Sequence, residues 1–132
     1  MFWRDSNLTP SKILDGFSST IMVGERCWGS DGAPGAALAI ANQADNEQLS
    51  VERSLATAAV TLNSLTEPTR GFSSMHGGNL NFLMCDGAVA TIAETVNHEV
   101  GRSWSTTVTS TPWSVFERLV GKSDGQQTPT GY

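Results

Sequence analysis

Ser74-Met75-His76-Gly77-Gly78-Asn79-Leu80-Asn81-Phe82-Leu83-Met84-Cys85-Asp86-Gly87-Ala88-Val89 is the stretch that decides how this chain folds. A histidine beside two glycines leads into an apolar run, which stops at Asp-Gly and resumes as a second apolar run. The order is loop, strand, tight turn, strand. Asp-Gly is among the few dipeptides that tolerate positive φ at both central positions of a type I′ turn, whose twist matches that of the flanking strands. With Asp86 and Gly87 as a two-residue loop, Cys85 stands opposite Ala88, Met84 opposite Val89 and Phe82 opposite Thr91; a four-residue loop centred on the same dipeptide stays open and would shift the pairing. In the two-residue register one face collects Leu80, Phe82, Met84 and Val89, and the other Leu83, Cys85, Ala90 and Ile92. Neither face is polar, so the hairpin is expected to be central in its sheet and covered at least partly on both sides.

Working outward, residues 18–26 carry the β-branched Thr20, Ile21 and Val23 and are expected to form a further strand. Pro10 and Ser11 announce a short helical turn around residues 12–15, ended by Gly16. Near the other end, Pro112 opens an expected helix through Val120, with Thr111 as N-cap and Gly121 as its stop; Trp113, Phe116, Leu119 and Val120 share its buried face. Residues 29–35 form a glycine-rich loop, residues 36–41 are compatible with strand or helix, and residues 51–65 are expected to be helical for part of their length. Residues 94–104 read as a connection with a helical turn, residues 106–111 as extended, and residues 122–132 as a mobile polar tail. The expectation is an α+β fold: a small antiparallel sheet around a hairpin over residues 79–93, residues 18–26 alongside, and a C-terminal helix on one face.

At 132 residues the chain is long enough for one modest core, so residues 1–132 are expected to be a single domain. A net charge of -5, with eight Lys and Arg scattered singly, argues against nucleic acid or an anionic membrane surface as partner. The longest apolar-leaning stretch, residues 35–41, is far short of the roughly 20 residues that cross a bilayer. Residues 1–12 lack the basic start and apolar run of a signal peptide. Cys27 and Cys85 each end an expected strand; they are read as two small buried thiols, with a disulfide geometrically possible if those strands are neighbours. No zinc site is expected from two cysteines, and no metal or other cofactor is expected.

The residues that chemistry would need are His76, His98, Asp86, Glu25, Cys85 and several serines. A triad of His76, Asp86 and Ser73 or Ser74 would demand a carboxylate on the imidazole. The intervening strand spans roughly 30 Å if straight, so His76 and Asp86 stand at its opposite ends. His76 is therefore read as a loop residue marking where the strand begins, with Gly77 and Gly78 permitting the backbone angles there. Asp86 belongs to the turn. Glu25 is placed to meet His76 if the two strands pair, and His98 is expected to be a solvated surface residue.

His76, nine intervening residues and then Asp86-Gly87 resemble the H-x9-DG signature of a large bacterial family of prepilin-type proteins related to type II secretion pseudopilins. Asp15-Gly16-Phe17-Ser18-Ser19-Thr20, the apolar run after it and Gly24-Glu25 are similar to that family's DGxSNT-apolar-GE segment, with Ser19 where asparagine is usual. Val115-Phe116-Glu117-Arg118-Leu119 followed by Asp124-Gly125-Gln126 resembles its C-terminal helix and acidic-glycine ending, whereas Gly101 departs from the bulky apolar residue expected there. The resemblance implies a pilin-head-like domain that is not an enzyme, with other pilin-like subunits or secretion components as partners. It implies a cell-envelope or extracellular location if a prepilin leader is present, and membrane contact only through an N-terminal helix that this sequence lacks. Residues 29–68 would be a variable insertion carrying the recognition surface. Two rivals are a module binding carbohydrate or Ca²⁺ through Trp28 with Asp31 or Asp45, and a hydrolase with His76 about 3 Å from a serine or cysteine nucleophile.

Overall fold

The computed structural model describes residues 7–27, 56–67, 70–99, 114–123 and 125. Three strands form one antiparallel sheet in the order β1 (Ile21–Gly24), β2 (Asn79–Met84), β3 (Val89–Ala93), and a helix, α1 (Val115–Val120), follows. This is the α+β arrangement expected. Among the described residues β2 is the middle strand and β1 and β3 are the outer ones.

The hairpin occupies the expected residues in a different register. Leu83 pairs with Val89, Phe82 with Ala90, Asn81 with Thr91 and Leu80 with Ile92. The reason lies in the turn. The Gly87 N–H donates to the Met84 carbonyl, the Met84 N–H donates to the Ala88 carbonyl, and positive φ is confined to Gly87 (91°), with Asp86 outside the left-handed region. Cys85-Asp86-Gly87 is thus a three-residue loop, a turn followed by a left-handed glycine, in place of a type I′ pair. Asp86 earns its position through its side chain, whose Oδ1 accepts from the Ala88 N–H at 2.9 Å.

A one-residue slip exchanges the faces of a strand. Ala90 and Ile92 join Leu80, Phe82 and Met84 on the inner face, while Val89, Thr91 and Ala93 point the other way and are exposed. The expected cover on both sides is replaced by one buried face and one open face among the described residues. The inner face meets Phe116 and Leu119 of α1, Ile21 of β1, and Ala58 and Leu62 of the segment before the hairpin. Phe72, Phe82 and Phe116 form a mutual edge-on triangle with ring centroids 5.3, 5.7 and 6.0 Å apart.

β1 is shorter than residues 18–26. Gly16, at φ 97°, starts a 3-10 turn over Phe17–Ser19, and the buried Thr20 hydroxyl donates to the Gly16 carbonyl, so pairing begins at Ile21. The register shifts between Ile21 and Val23, a bulge at Met22. The earlier turn occupies Pro10–Lys12, and Leu14 and Asp15 then donate their N–H groups to the Lys122 carbonyl. Asp15 Oδ1 accepts from the Gly125 N–H at 3.1 Å. The start of the expected tail is therefore tied to the Asp15-Gly16 segment.

Residues 56–65 contain no helix. Ala58, Val60 and Leu62 alternate inward, the Thr57 N–H donates to the Arg70 carbonyl and the Asn63 N–H to the Phe72 carbonyl. The β-branched residues at 57, 60 and 61 disfavour a helix here, and the segment follows an irregular path with turns at 58–59 and 62–63 that buries alternate side chains. The helix α1 begins later than expected. Ser114 is its N-cap, with ψ 161°, and forms a reciprocal capping box with Glu117. Asn97 meets the next two free donors, its Oδ1 accepting from Val115 N–H and its carbonyl from Phe116 N–H. Gly121 ends the helix as expected, in an extended conformation.

The expectations for residues 29–55, residues 106–111, Gly101, Thr111, Pro112 and Trp113 lie outside the described residues. Among the described residues no helix is long and apolar enough to cross a membrane.

Candidate functional site

The signature residues cluster around the two ends of β2. At the entry end, Glu25 follows β1 and faces β2: its N–H donates to the Asn81 carbonyl, and its Oε1 accepts from the Asn81 N–H at 2.7 Å. Its other carboxylate oxygen lies 3.5 Å from His76 Nε2. Glu25 and His76 therefore do meet, because antiparallel pairing brings the end of β1 beside the start of β2. Among the described residues this carboxylate is the one polar partner of the His76 ring; the serine beside it, Ser74, accepts from the His76 backbone N–H instead.

The His76 side chain is 65% exposed, so its ion pair with Glu25 is worth little, about 0–1 kcal/mol when both are charged. The bond from Asn81 is the stronger element, since it satisfies a part-buried backbone donor. Two variants separate these contributions. Glu25→Gln keeps an acceptor for Asn81 and is expected to change unfolding free energy by under about 0.5 kcal/mol, whereas Glu25→Ala should cost about 1–2 kcal/mol. Urea denaturation compares them. Equal losses in both variants would mean that the charge facing His76 is what holds this corner.

Asp86 and Gly87 stand at the far end of β2, beyond Met84, and make only the turn described above. The structure does not bring His76 and Asp86 together. Gly24 sits between them on β1 and is dictated by packing: a Cβ there would lie 2.4 Å from Phe72 Cδ1 and 2.7 Å from Phe82 Cε1.

Cys27 and Cys85 are not joined to each other in a disulfide. Cys27 lies past the end of β1, where its N–H and Sγ donate to Ser73 Oγ; Cys85 lies past the end of β2, where its N–H donates to the Thr20 carbonyl. Neighbouring antiparallel strands place their C-terminal ends at opposite sides of the sheet, which is why adjacency does not yield a disulfide. Burial, and then the carboxylate of Asp86, push the Cys85 thiol up, so it holds less thiolate than an ordinary cysteine at neutral pH. Among the described residues no group of three or more His, Cys, Asp or Glu is placed to hold a metal ion.

His98 is not a solvated surface residue. Its Nε2 lies 2.6 Å from the Ala58 carbonyl, which makes Nε2 the protonated nitrogen, and its ring packs on Phe116 with centroids 4.8 Å apart. Among the described residues its buried Nδ1 has no hydrogen-bond partner. Asn63 was unmarked by sequence. It adopts φ 53°, accepts from the Ser74 N–H and donates Nδ2 to Glu94 Oε2 at 2.6 Å, so it joins the segment before the hairpin to the end of β3. Neither role has a local sequence signal, because each partner is distant along the chain. Ser114 did have one, the Ser-x-x-Glu spacing to Glu117. Trp28, Asp31 and Asp45, the residues of a carbohydrate or Ca²⁺ site, lie outside the described residues.

The family described as "Protein of unknown function (DUF1559)" matches residues 1–99, which contain both ends of the H-x9-DG spacing and the Asp15-Gly16 to Glu25 segment. The chain belongs to this family. No curated protein and no solved structure matches it. The DUF1559 match takes in all three strands and stops before α1, whose Phe116 and Leu119 complete the core of the matched part.

Proposed function

We propose that this DUF1559 chain is a pseudopilin-like, non-enzymatic globular domain, carried on a cell-envelope filament or a type II secretion-like apparatus and assembled there with other pilin-like subunits. One observation carries the reading: each signature residue already has a structural task. Asp15 ties Gly125, Gly16 opens the turn before β1, Gly24 admits two phenylalanine rings, Glu25 holds Asn81 and meets His76, and Asp86 with Gly87 makes the turn. Catalytic groups would have to converge on one reacting position. These residues are spread along β1 and to both ends of β2, a distribution suited to a display scaffold.

The test is the native gene and its product. A prepilin leader and an apolar helix of about 20 residues should precede Met1 in frame, and the processed protein should fractionate with the cell envelope. Mass spectrometry of the native N-terminus reads this directly. A native polypeptide that starts at Met1 and is recovered free of the envelope would overturn the proposal.

A further inference from the structure

Asn7-Leu8-Thr9 is an Asn-x-Thr acceptor motif for N-linked glycosylation, and the fold gives it no other task. Of the seven asparagines in the chain, Asn7 alone is followed two positions later by Ser or Thr. Three of the others serve inside the fold: Asn63 with Ser74 and Glu94, Asn81 with Thr91, and Asn97 with Val115. Two positions beyond these stand Leu65, Leu83 and Glu99, none of which completes an acceptor. Asp5 stands two positions before Asn7. Residues two apart share one side of an extended chain, so an enzyme that binds this stretch extended meets the Asp5 carboxylate, the Asn7 amide and the Thr9 hydroxyl together.

The motif lies where an enzyme can take it up. Residues 7–9 belong to no helix or strand, and Asn7 and Thr9 are exposed. Thr9 is already extended, with φ -99° and ψ 152°, because Pro10 keeps the residue before it out of the helical region. The first 3-10 turn starts at Pro10, and its bond from the Lys12 N–H to the Thr9 carbonyl engages no motif side chain. The Thr9 hydroxyl lies 3.0 Å from Ser11 Oγ at an exposed position, a partner it can exchange without uncovering a buried group. Lys12 Nζ donates to the Asn7 carbonyl at 3.4 Å, a long contact that is also exposed. Drawing residues 7–9 into an enzyme therefore breaks nothing on which the core depends; the first buried residues of the described lead are Thr20 and Ile21.

We infer that Asn7 is the acceptor of an N-linked oligosaccharide, transferred from a polyprenyl-diphosphate carrier by an oligosaccharyltransferase. Asn7 Nδ2 attacks the anomeric carbon of the first sugar and the bond from that carbon to the diphosphate oxygen breaks. Polyprenyl diphosphate leaves, and one Nδ2 proton passes to a base of the transferase. An amide nitrogen is a weak nucleophile because its lone pair is shared with the carbonyl, so the activation belongs to the enzyme. The chain supplies the stretch that is read: the Asn7 amide that reacts and the Thr9 hydroxyl that the enzyme binds. The product carries a bulky, solubilising group on an exposed lead, where it displaces no packed side chain. In the cell the transfer rests on the envelope reading, since it takes place on the outward side of a membrane.

A cell-free reaction tests the site apart from location. The full chain is incubated with a purified oligosaccharyltransferase and a polyprenyl-diphosphate-linked oligosaccharide, beside a reference acceptor protein, and read by intact mass and peptide mapping. A mass gain of one oligosaccharide on Asn7 is expected. Asn7→Gln and Thr9→Val should each abolish it, and Thr9→Ser should retain it. Both positions are exposed and Thr9 makes no side-chain cap bond, so the urea midpoint of all three variants should match the parent, which separates loss of the acceptor from loss of the fold. A chain left unmodified beside a modified reference, or a mass gain that persists in Asn7→Gln, would sink the inference. The native protein should carry the same increment in the envelope fraction, and envelope protein with Asn7 bare would overturn it too. A native product found free of the envelope overturns the envelope reading instead, and the cell-free result still decides Asn7.

Discussion

Replacing Gly24 by alanine should destabilise the domain by about 1–3 kcal/mol, although the same change in an open strand would be favourable or neutral. The added Cβ would fall 2.4 and 2.5 Å from two atoms of the Phe72 ring and 2.7 Å from the Phe82 ring. Phe82 is 1% exposed and cannot retreat; Phe72 is half-buried and can swing outward only by leaving its edge-on contacts with Phe82 and Phe116. The urea midpoint reads the loss. A second substitution, Phe72→Leu, makes room, so the double variant should lose less than the sum of the two single changes. If Gly24→Ala leaves the midpoint unchanged, Gly24 is not explained by the aromatic packing.

Phe116→Ala should have the larger effect, about 3–5 kcal/mol, against a total of about 5–15 kcal/mol for a domain of ordinary stability. The ring is fully buried and touches Phe72, Phe82 and His98, so its removal opens a cavity beneath β2 and frees the ring that holds the Ala58 segment. α1 has only six residues, too few to persist as an isolated helix, and its capping box and Asn97 contacts hold only while it is docked. Loss of near-ultraviolet circular dichroism together with a lowered urea midpoint is expected. A cost under about 1 kcal/mol would mean that α1 is an accessory to a core complete without it. The point matters because α1 lies beyond the residues that match DUF1559, yet supplies two of the buried side chains.

The candidate site was legible to the extent that its residues are local. Asp86 and Gly87 declared a turn, and His76 with two glycines declared a strand entry; both tasks are performed within a few residues. Glu25 facing His76 followed from antiparallel pairing of two recognisable strands. The partners of Gly24, Asn63 and His98 were not legible, since Phe72, Glu94 and Ala58 reach them across gaps that no periodicity records. The helical expectation for residues 51–65 failed over the described part because alanine and leucine propensity is weak beside the gain from burying Ala58, Val60 and Leu62.

Sequence by itself determined the strands, the hairpin limits, the short final helix and the α+β class, because each rests on a local run of apolar or turn-forming residues. Tertiary structure decided the register. Asp-Gly is compatible with both a two-residue and a three-residue loop, and the choice depends on which face of β3 finds a core. Burying Ile92 beside Leu80 and against the α1 face selects the three-residue loop with a left-handed Gly87, and that slip of one residue leaves Val89, Thr91 and Ala93 on the open side. The same decision turned a stretch expected to be covered on both faces into a sheet with one filled face and, among the described residues, one open face.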